Sequence, residues 1–478
     1  MSSVPTVPHQ YSLHIVKPPA VAATTRTFDA QPYNGTSFAP NQSIMIPLPT
    51  GRPGSFFDPH MSYLQFQVDA TFSVPNGTAN SEGANALTDN TLAKCGAMAF
   101  IQEMRILVNG VVIEEIQNYN LLCELLHDFH AGGGTYGMDG LMYNGAQPAV
   151  QRSNGYVIGT ANGHSVFHTL ANATGAAVPT AFSFINCIPL VSGILGTMAE
   201  KAWPAMLLSP GSMILELKLA PTIVPFRINV ATITVTNWAI SKVKWVGKEV
   251  IVADDVSATI LQAAQSGALS IHCQTYRDYQ CQLQNSKSLS QILPIKLLSL
   301  NSLFFCFRDV LAISSNTYSA LSRMQPGETP TFTGNYKTNP ANNSLYFQLM
   351  VGSERLPARP LSDISEFVVE LKKSLGRLVV SDVPWSPNLD TSYRVTGNRT
   401  NEGSFVIGLD MDTFSMSNSS VRSGRNTTGD QITLELRAET QNDLFNDGAI
   451  IASVLLDTIA LHDMKLSFMP GGLITAIW

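Results

Sequence analysis

Runs in which apolar and polar side chains alternate recur along the chain between clusters of Asn, Gly, Ser and Pro. The clearest are Ser43–Pro47, Ser62–Phe72, Met104–Val108, Thr180–Ile188, Ser212–Leu219 and Ile233–Val246. A two-residue period with β-branched and aromatic content predicts half-buried strands. The segments that link them are long, which in an all-β protein points to loops with a role of their own. Two segments of the first half carry a helical period instead. Leu121, Leu122, Leu125, Leu126 and Phe129 put an apolar face on Asn118–His130. In Asp254–Ser266, Asp254 or Asp255 can cap the start, Val256, Ile260 and Leu261 supply a face, and Gly267 can end the helix.

The second helix lies almost at the midpoint of the chain, which prompts a comparison of the two halves. Ser62–Gln67 aligns with Ser302–Phe307 at an offset of 240, and Met104–Gly110 with Phe347–Gly352 at an offset near 242. A short strand and a helix follow each glycine. The second such helix, Asp363–Leu375, has Ile364, Phe367, Val368, Leu371 and Leu375 on one face. Asp363 can cap it, Lys372 and Lys373 suit its C-terminal end, and Gly376 can stop it. Leu215–Lys218 aligns with Leu434–Arg437, and Val235–Trp245 with Leu455–Lys465, at offsets of 219 and 220. The second copy is therefore shorter by about 20 residues, the length of a loop such as that around Leu141–His168. Four blocks in one order predict two all-β domains on one plan, which resembles an eight-stranded jelly roll. The expected layout is an extended arm over 1–27, a first jelly roll over 28–252, a linker helix over 253–267 and a second jelly roll over 268–478.

Composition narrows the function. The 478 residues are 45% hydrophobic, enough for sizeable cores, but only 13% charged, about half the usual quarter. A chain so poor in charge has to cover its surface, and extensive subunit contacts do that because interface cores are depleted in charge. Net charge is −6, no run of three Lys or Arg occurs, and the first 30 residues carry only Lys17 and Arg26. The electrostatic footprint of a nucleic-acid binder is missing. The longest apolar stretch, Ile185–Ala199, is interrupted by Pro189 and Gly193 and falls short of the roughly 20 residues that span a bilayer. No basic segment followed by an apolar one opens the chain, so secretion is not expected. Ten of the 27 prolines fall in the first 60 residues. Pro5, Pro8, Pro18, Pro19 and Pro32 keep that stretch out of a sheet centre.

Candidate chemistry is thin. The cysteines Cys95, Cys123, Cys187, Cys273, Cys281 and Cys306 include no C-x-x-C pair and read as packing thiols. Glu114 and Glu115 are strand neighbours, so they point to opposite faces and make no acid/base pair. Glu124, His127 and His130 share a helix with Cys123, but a di-metal site needs carboxylates from further helices. His164 and His168 lie in a loop pattern, and His272, Cys273 and Cys281 in a strand pattern with Tyr276 and Tyr279. Gly132–Gly137 fits G-x-G-x-x-G but follows a helix rather than a strand. Asp443–Gly448 fails as a calcium loop because Phe445 takes a ligand position. No catalytic residue, metal site or cofactor is expected.

The segment Ile101–His130 (IQEMRILVNGVVIEEIQNYNLLCELLHDFH) resembles the strand–turn–strand–helix block of major capsid proteins from virophages and polinton-like or adinto-like viruses. Ser270–Arg308, with its run Leu303-Phe304-Phe305-Cys306-Phe307, resembles the opening of the second jelly roll in the same proteins. Tandem copies joined near the midpoint match the double jelly-roll capsid lineage, which includes adenovirus hexons and the major capsid proteins of large DNA viruses. The resemblance implies two upright jelly rolls, a homotrimer with a six-sided footprint, and capsomers tiling an icosahedral shell. It also implies penton and minor capsid proteins as partners and the virion as location. At this length the exposed crown should be low. Candidate inter-subunit tethers are Pro5, Pro8, Tyr11, Pro18, Pro19, Ile474 and Trp478; packing of Trp478 on its own domain is the alternative.

Three rivals share parts of the pattern. A bicupin-like enzyme needs clustered histidines such as His-x-His, which none of the nine histidines provides. A glycan-binding double β-sandwich would carry a secretion signal. A tandem jelly-roll coat protein of an RNA virus would more often carry a basic arm.

Overall fold

The computed structural model describes residues 23–74, 91–93, 95–130, 178–227, 234–267, 269–310, 320–321, 323, 327–328, 345–362, 364–376, 405–412, 424–438, 444–446, 453–469 and 472–478. Eight principal strands build the first half: β1 (Ala23–Ala30), β2 (Ser43–Pro47), β3 (Ser55–Val74), β4 (Ile101–Val108), β5 (Val111–Ile116), β6 (Val178–Ile188), β7 (Met213–Leu219) and β8 (Thr234–Val252). Helix α1 (Tyr119–His130) lies between β5 and β6, and helix α2 (Asp254–Gln265) follows β8. The second half repeats the series with β9 (Ser270–Gln284), β10 (Ser288–Leu293), β11 (Leu300–Asp309), β12 (Leu345–Val351), β13 (Glu354–Leu361), helix α3 (Ile364–Ser374), β14 (Ile407–Asp410), β15 (Ile432–Ala438) and β16 (Ser453–Met469). A last strand, β17 (Leu473–Ile477), folds back on β16.

Each half is a pair of antiparallel sheets, one of four strands and one of four with a fifth strand added at its side. The first half pairs in the orders β1-β8-β3-β6 and β2-β7-β4-β5, and the second in the orders β9-β16-β11-β14 and β10-β15-β12-β13. Replacing each first-half strand by its counterpart converts one description into the other. This is the jelly-roll interleaving, in which sequence neighbours alternate between two facing sheets except at the β4–β5 and β12–β13 hairpins. All four blocks matched between the halves fall on equivalent strands: β3 and β11, β4 and β12, β7 and β15, β8 and β16.

One match needs correction. At an offset of 240, Gln65 stands opposite Phe305. In the fold, Leu64 and Phe66 face the first-half core, while Leu303, Phe305 and Phe307 face the second-half core. The faces agree at an offset of 239. Because successive strand residues point to opposite faces, a slip of one residue exchanges inside for outside. β11 is apolar on both faces, so its own pattern does not mark the slip.

Other boundaries follow from local chemistry. β1 starts at Ala23 and pairs in register with Val252 down to Trp245, so the expected arm over 1–27 overlaps a sheet strand by five residues. Phe28 anchors it, with ring centroids 5.3 Å from Phe57 and 5.6 Å from Trp245. β3 begins at Ser55, ahead of the expected Ser62. Pro59 falls where the register slips between Asp58 and Tyr63, so its missing N–H interrupts no ladder bond. The β4–β5 turn is Asn109-Gly110, both at positive φ, the pairing favoured in two-residue hairpins. Helix α2 is capped by Ala253, whose side chain cannot accept a bond. Asp254 and Asp255 sit in its first turn instead, where they offset the positive helix end. Gly267, at φ +70°, ends it as expected. At α3, Asp363 lies outside the described residues, and Glu366 Oε2 accepts the Ser362 N–H at 3.1 Å.

Trp245 is fully buried between Phe28 and Phe57. Trp245→Ala is expected to destabilise the chain by about 3–5 kcal/mol, the usual range for a large core aromatic. Urea unfolding followed by circular dichroism checks this, and a loss below 1 kcal/mol would contradict a closed first-half core.

Candidate functional site

Among the described residues, the most elaborate constellation is the seam between the halves. Every residue of β11 is buried. Leu303, Phe305 and Phe307 point into the second-half core, while Phe304 and Cys306 join the cluster that runs through the first half. A continuous apolar strand is what burial on both faces demands. Phe129 of α1 packs on Phe304 with ring centroids 5.3 Å apart, and Trp203 meets Phe468 at 5.5 Å. Backbones also close up: a Cβ on Gly193 would stand 2.3 Å from the Gln274 carbonyl oxygen.

Polar pins cross this apolar contact. Glu114 of β5, 2% exposed, accepts the Ser192 hydroxyl at 2.5 Å, the Gly193 N–H at 2.8 Å and, across the seam, the Thr275 hydroxyl at 2.5 Å. Burial pushes its carboxyl above the usual range, and those donors pull it part of the way back. Asn118 precedes α1 at φ +46°, a conformation Asn tolerates better than most residues. Its Nδ2 donates to Asp278 Oδ2 at 2.5 Å and to Asp457 Oδ1 at 3.3 Å. Arg308 grips Asp457 through Nε at 2.7 Å and Nη2 at 2.9 Å. Asp128 of α1 forms an ion pair with the buried Arg323.

The equivalent sheet face of the first half has different chemistry. Tyr63, Gln65, Gln67 and Asp69 take the places of Ser302, Phe304, Cys306 and Arg308. All four are half-buried rather than sealed. Asp69 accepts from Gln67 and Ser183 at 2.7 Å and from Ser241 at 3.0 Å. Beside them lies a groove of about 600 Å³ lined by Gln65, Gln67, Ile185, Ser241 and Lys244 among others. Ile185 is 56% exposed.

The sequence candidates disperse. Glu114 enters the seam while Glu115 pairs with Arg105 at 3.0 Å on the outer face, as strand alternation requires. Glu124 Oε2 accepts the Cys95 N–H at 2.8 Å inside the first half. Cys273 is buried in the seam cluster, and Cys281, eight residues on, packs against the second core. Phe445 packs on Phe307. Among the described residues no group of three His, Cys, Asp or Glu is placed to hold a metal ion, and no helix is long and apolar enough to cross a membrane. His164, His168, Gly132–Gly137 and the tether candidates Pro5, Pro8, Tyr11, Pro18 and Pro19 lie outside the described residues. Ile474 is 8% exposed and belongs to the seam cluster. Trp478 packs against both cores under the Arg277 guanidinium, 5.6 Å from its ring centroid. Both therefore sit on their own chain, while their neighbours Leu473 and Ile477 are exposed.

Sequence reasoning missed Asn118, Thr275, Asp278, Arg308 and Asp457. The available signal was a lone charge inside an apolar strand, as in Val454-Leu455-Leu456-Asp457 and Phe305-Cys306-Phe307-Arg308. Such a charge stays buried only with a partner.

No family model and no curated protein matches this sequence. Solved structures do match in fold. The capsid protein in a quasi-atomic model of the PBCV-1 virus capsid superposes with a TM-score of 0.57 at 10% identity, covering 98% of this chain and 99% of that one. The Faustovirus major capsid protein gives 0.58 at 10% identity, over 98% and 93%. The mavirus major capsid protein gives 0.51 at 13%, over 100% and 96%. The described residues thus have the double jelly-roll fold of these capsid proteins.

Gly193→Ala is expected to force the seam apart, costing about 1–3 kcal/mol as overpacking does. Differential scanning calorimetry should show a lower melting temperature. An unchanged one would mean the close approach to Gln274 is not rigid.

Proposed function

We propose that this chain is a structural subunit of an icosahedral virus shell, without catalytic activity, and that three copies close into a capsomer of six jelly rolls. One observation carries the reading. Among the described residues, the outward face of the second-half sheet is covered by the first half, whereas the equivalent face of the first half, around Gln65, Gln67 and Ile185, is left uncovered. Repeating the same packing between chains would cover it with the second half of another copy. Such a contact is heterologous, and heterologous contacts close into rings when the rotation permits.

The fold neighbours are capsid proteins, and the low charge content suits a chain with extensive permanent contacts. In this reading its partners are its own copies, neighbouring capsomers, and the penton and minor proteins of the shell, and its location is the virion. The domain plan is 28–252, 253–267 and 268–478, with β1 added to the first jelly roll. The proline-rich arm around Pro5, Pro8, Tyr11, Pro18 and Pro19 is proposed as a tether. At the C-terminal strand, exposed Leu473 and Ile477 are better placed for that role than Ile474 or Trp478.

Light scattering after size exclusion should give three copies of 51.7 kDa, about 155 kDa, with a six-sided outline in negative-stain images. Ile185→Glu should shift the species to monomer while the far-ultraviolet circular dichroism stays unchanged. A wild-type chain that remains monomeric at high concentration would sink the reading. A trimer that survives Ile185→Glu would relocate the interface.

A further inference from the structure

Two carboxylates and one guanidinium share a sealed part of the seam. Asp278 stands on β9, Asp457 on β16 and Arg308 on β11, all buried. Arg308 is committed to Asp457 through two hydrogen bonds, and Gln280 Nε2 and Asn118 Nδ2 also donate to Asp457, at 2.7 and 3.3 Å. Asp278 receives the Asn118 amide at Oδ2 and a bond from the Tyr279 backbone. Its other oxygen, Oδ1, is buried with no hydrogen-bond partner. The three groups sum to zero charge only when one carboxylate holds a proton, and Asp278 is the one without a guanidinium bonded to it.

We propose that Asp278 is a proton-operated pin between the two jelly rolls. Protonated, it leaves the sealed cluster without net charge and the seam closed, with the Asn118 amide donating to its Oδ2. Ionised, it sets two carboxylates against one guanidinium away from solvent, and the packing of α1 on the second-half sheet loosens. The partner it controls is the other half of the same chain, so the proposal stands whether or not the chain builds a shell.

Burial, and then the charge of Asp457, hold the Asp278 carboxyl well above the ordinary range. In the unfolded chain it returns to about 3.9. The folded chain therefore binds the extra proton between those values. Stability is complete below the unfolded value and falls as pH rises through the folded one. The other groups around the pin are accounted for. Burial pushes the neighbouring thiols up, Cys281 to about 11 and Cys306 to about 12, so both stay neutral over the same range. Arg323 lies beyond Cys306 and is paired with Asp128. Glu114 shares the seam and is also raised, but has hydroxyl and backbone donors and no carboxylate against it. His462 on β16 is pushed down to about 4 by burial. Its contribution is present above the unfolded value near 6.5 and lost as pH falls toward 4, so it limits the acid side while Asp278 limits the alkaline side.

The test is amide hydrogen–deuterium exchange of α1 and β9 in the full chain from pH 5 to 9, corrected for intrinsic exchange. Opening of these segments should grow with pH at up to about tenfold per unit, the slope of one linked proton. Asp278→Asn, which mimics the neutral acid, should remove that one-proton slope and leave only what Glu114 supplies. Should that variant fail to fold, Asp457→Asn gives a second reading: with one carboxylate gone Arg308 can serve Asp278, and the alkaline slope should fall even though overall stability drops. A wild-type chain with no alkaline opening, or a wild-type slope retained in either folded variant, overturns the proposal.

Discussion

Burial of one sheet on both faces governs the arrangement of the whole molecule. In a solitary jelly roll each sheet packs inward and meets water outward, and its strands alternate accordingly. The β9-β16-β11-β14 sheet has no such freedom, because one face closes the second core and the other closes the seam. That double burial is why β11 carries the unbroken apolar run Leu303–Phe307, why Gly193 has no room for a side chain against Gln274, and why the first-half core is continuous with the seam. Neither half has its observed surface chemistry without the other.

The duplication was legible in the sequence to a considerable depth. Alternation marks the strands, the 3.6-residue period marks α1, α2 and α3, and four blocks in one order land on equivalent strands. What one sequence does not contain is the pairing of distant strands. Asp278 and Asp457 are 179 residues apart and meet only because β9 and β16 pair in register. The same limit explains the one-residue error at β11. Alternation specifies a face only when one side is polar, and here the second half removed that cue. The cap expected from Asp254 failed for a smaller reason: a helix start shifts by a residue or two at little cost, and the acidic pair still acts on the helix end from inside the first turn.

The two copies show what different surroundings do to one strand plan. On β3 the outward positions are Tyr63, Gln65, Gln67 and Asp69, and the last is held by two hydroxyls and an amide within reach of solvent. On β11 the corresponding positions are Ser302, Phe304, Cys306 and Arg308, and the arginine is matched by a buried aspartate. The polar version suits a face that its own chain leaves within reach of solvent. The apolar version suits a face covered by its own chain as it folds. A subunit exposing Phe304 and its neighbours on both copies would present contiguous apolar patches that favour aggregation.

The polar pins have a consequence that apolar packing cannot supply. Hydrophobic contact is non-directional, so the seam could slide or rotate at modest cost on Phe129, Phe304, Trp203 and Phe468 alone. Hydrogen bonds from Asn118 to two aspartates and from Thr275 to Glu114, with the Asp128–Arg323 ion pair, fix the angle between the halves at three separated points. Buried ion pairs add little net stability, but removing one partner is costly, so they discriminate strongly between the correct register and its neighbours. In a chain whose copies associate head to tail, that angle decides whether the contact closes on itself or runs on as an open spiral. Under the proposed head-to-tail association, the few charges in the β11 and β16 strands would stand where an error in geometry passes from one chain to the next.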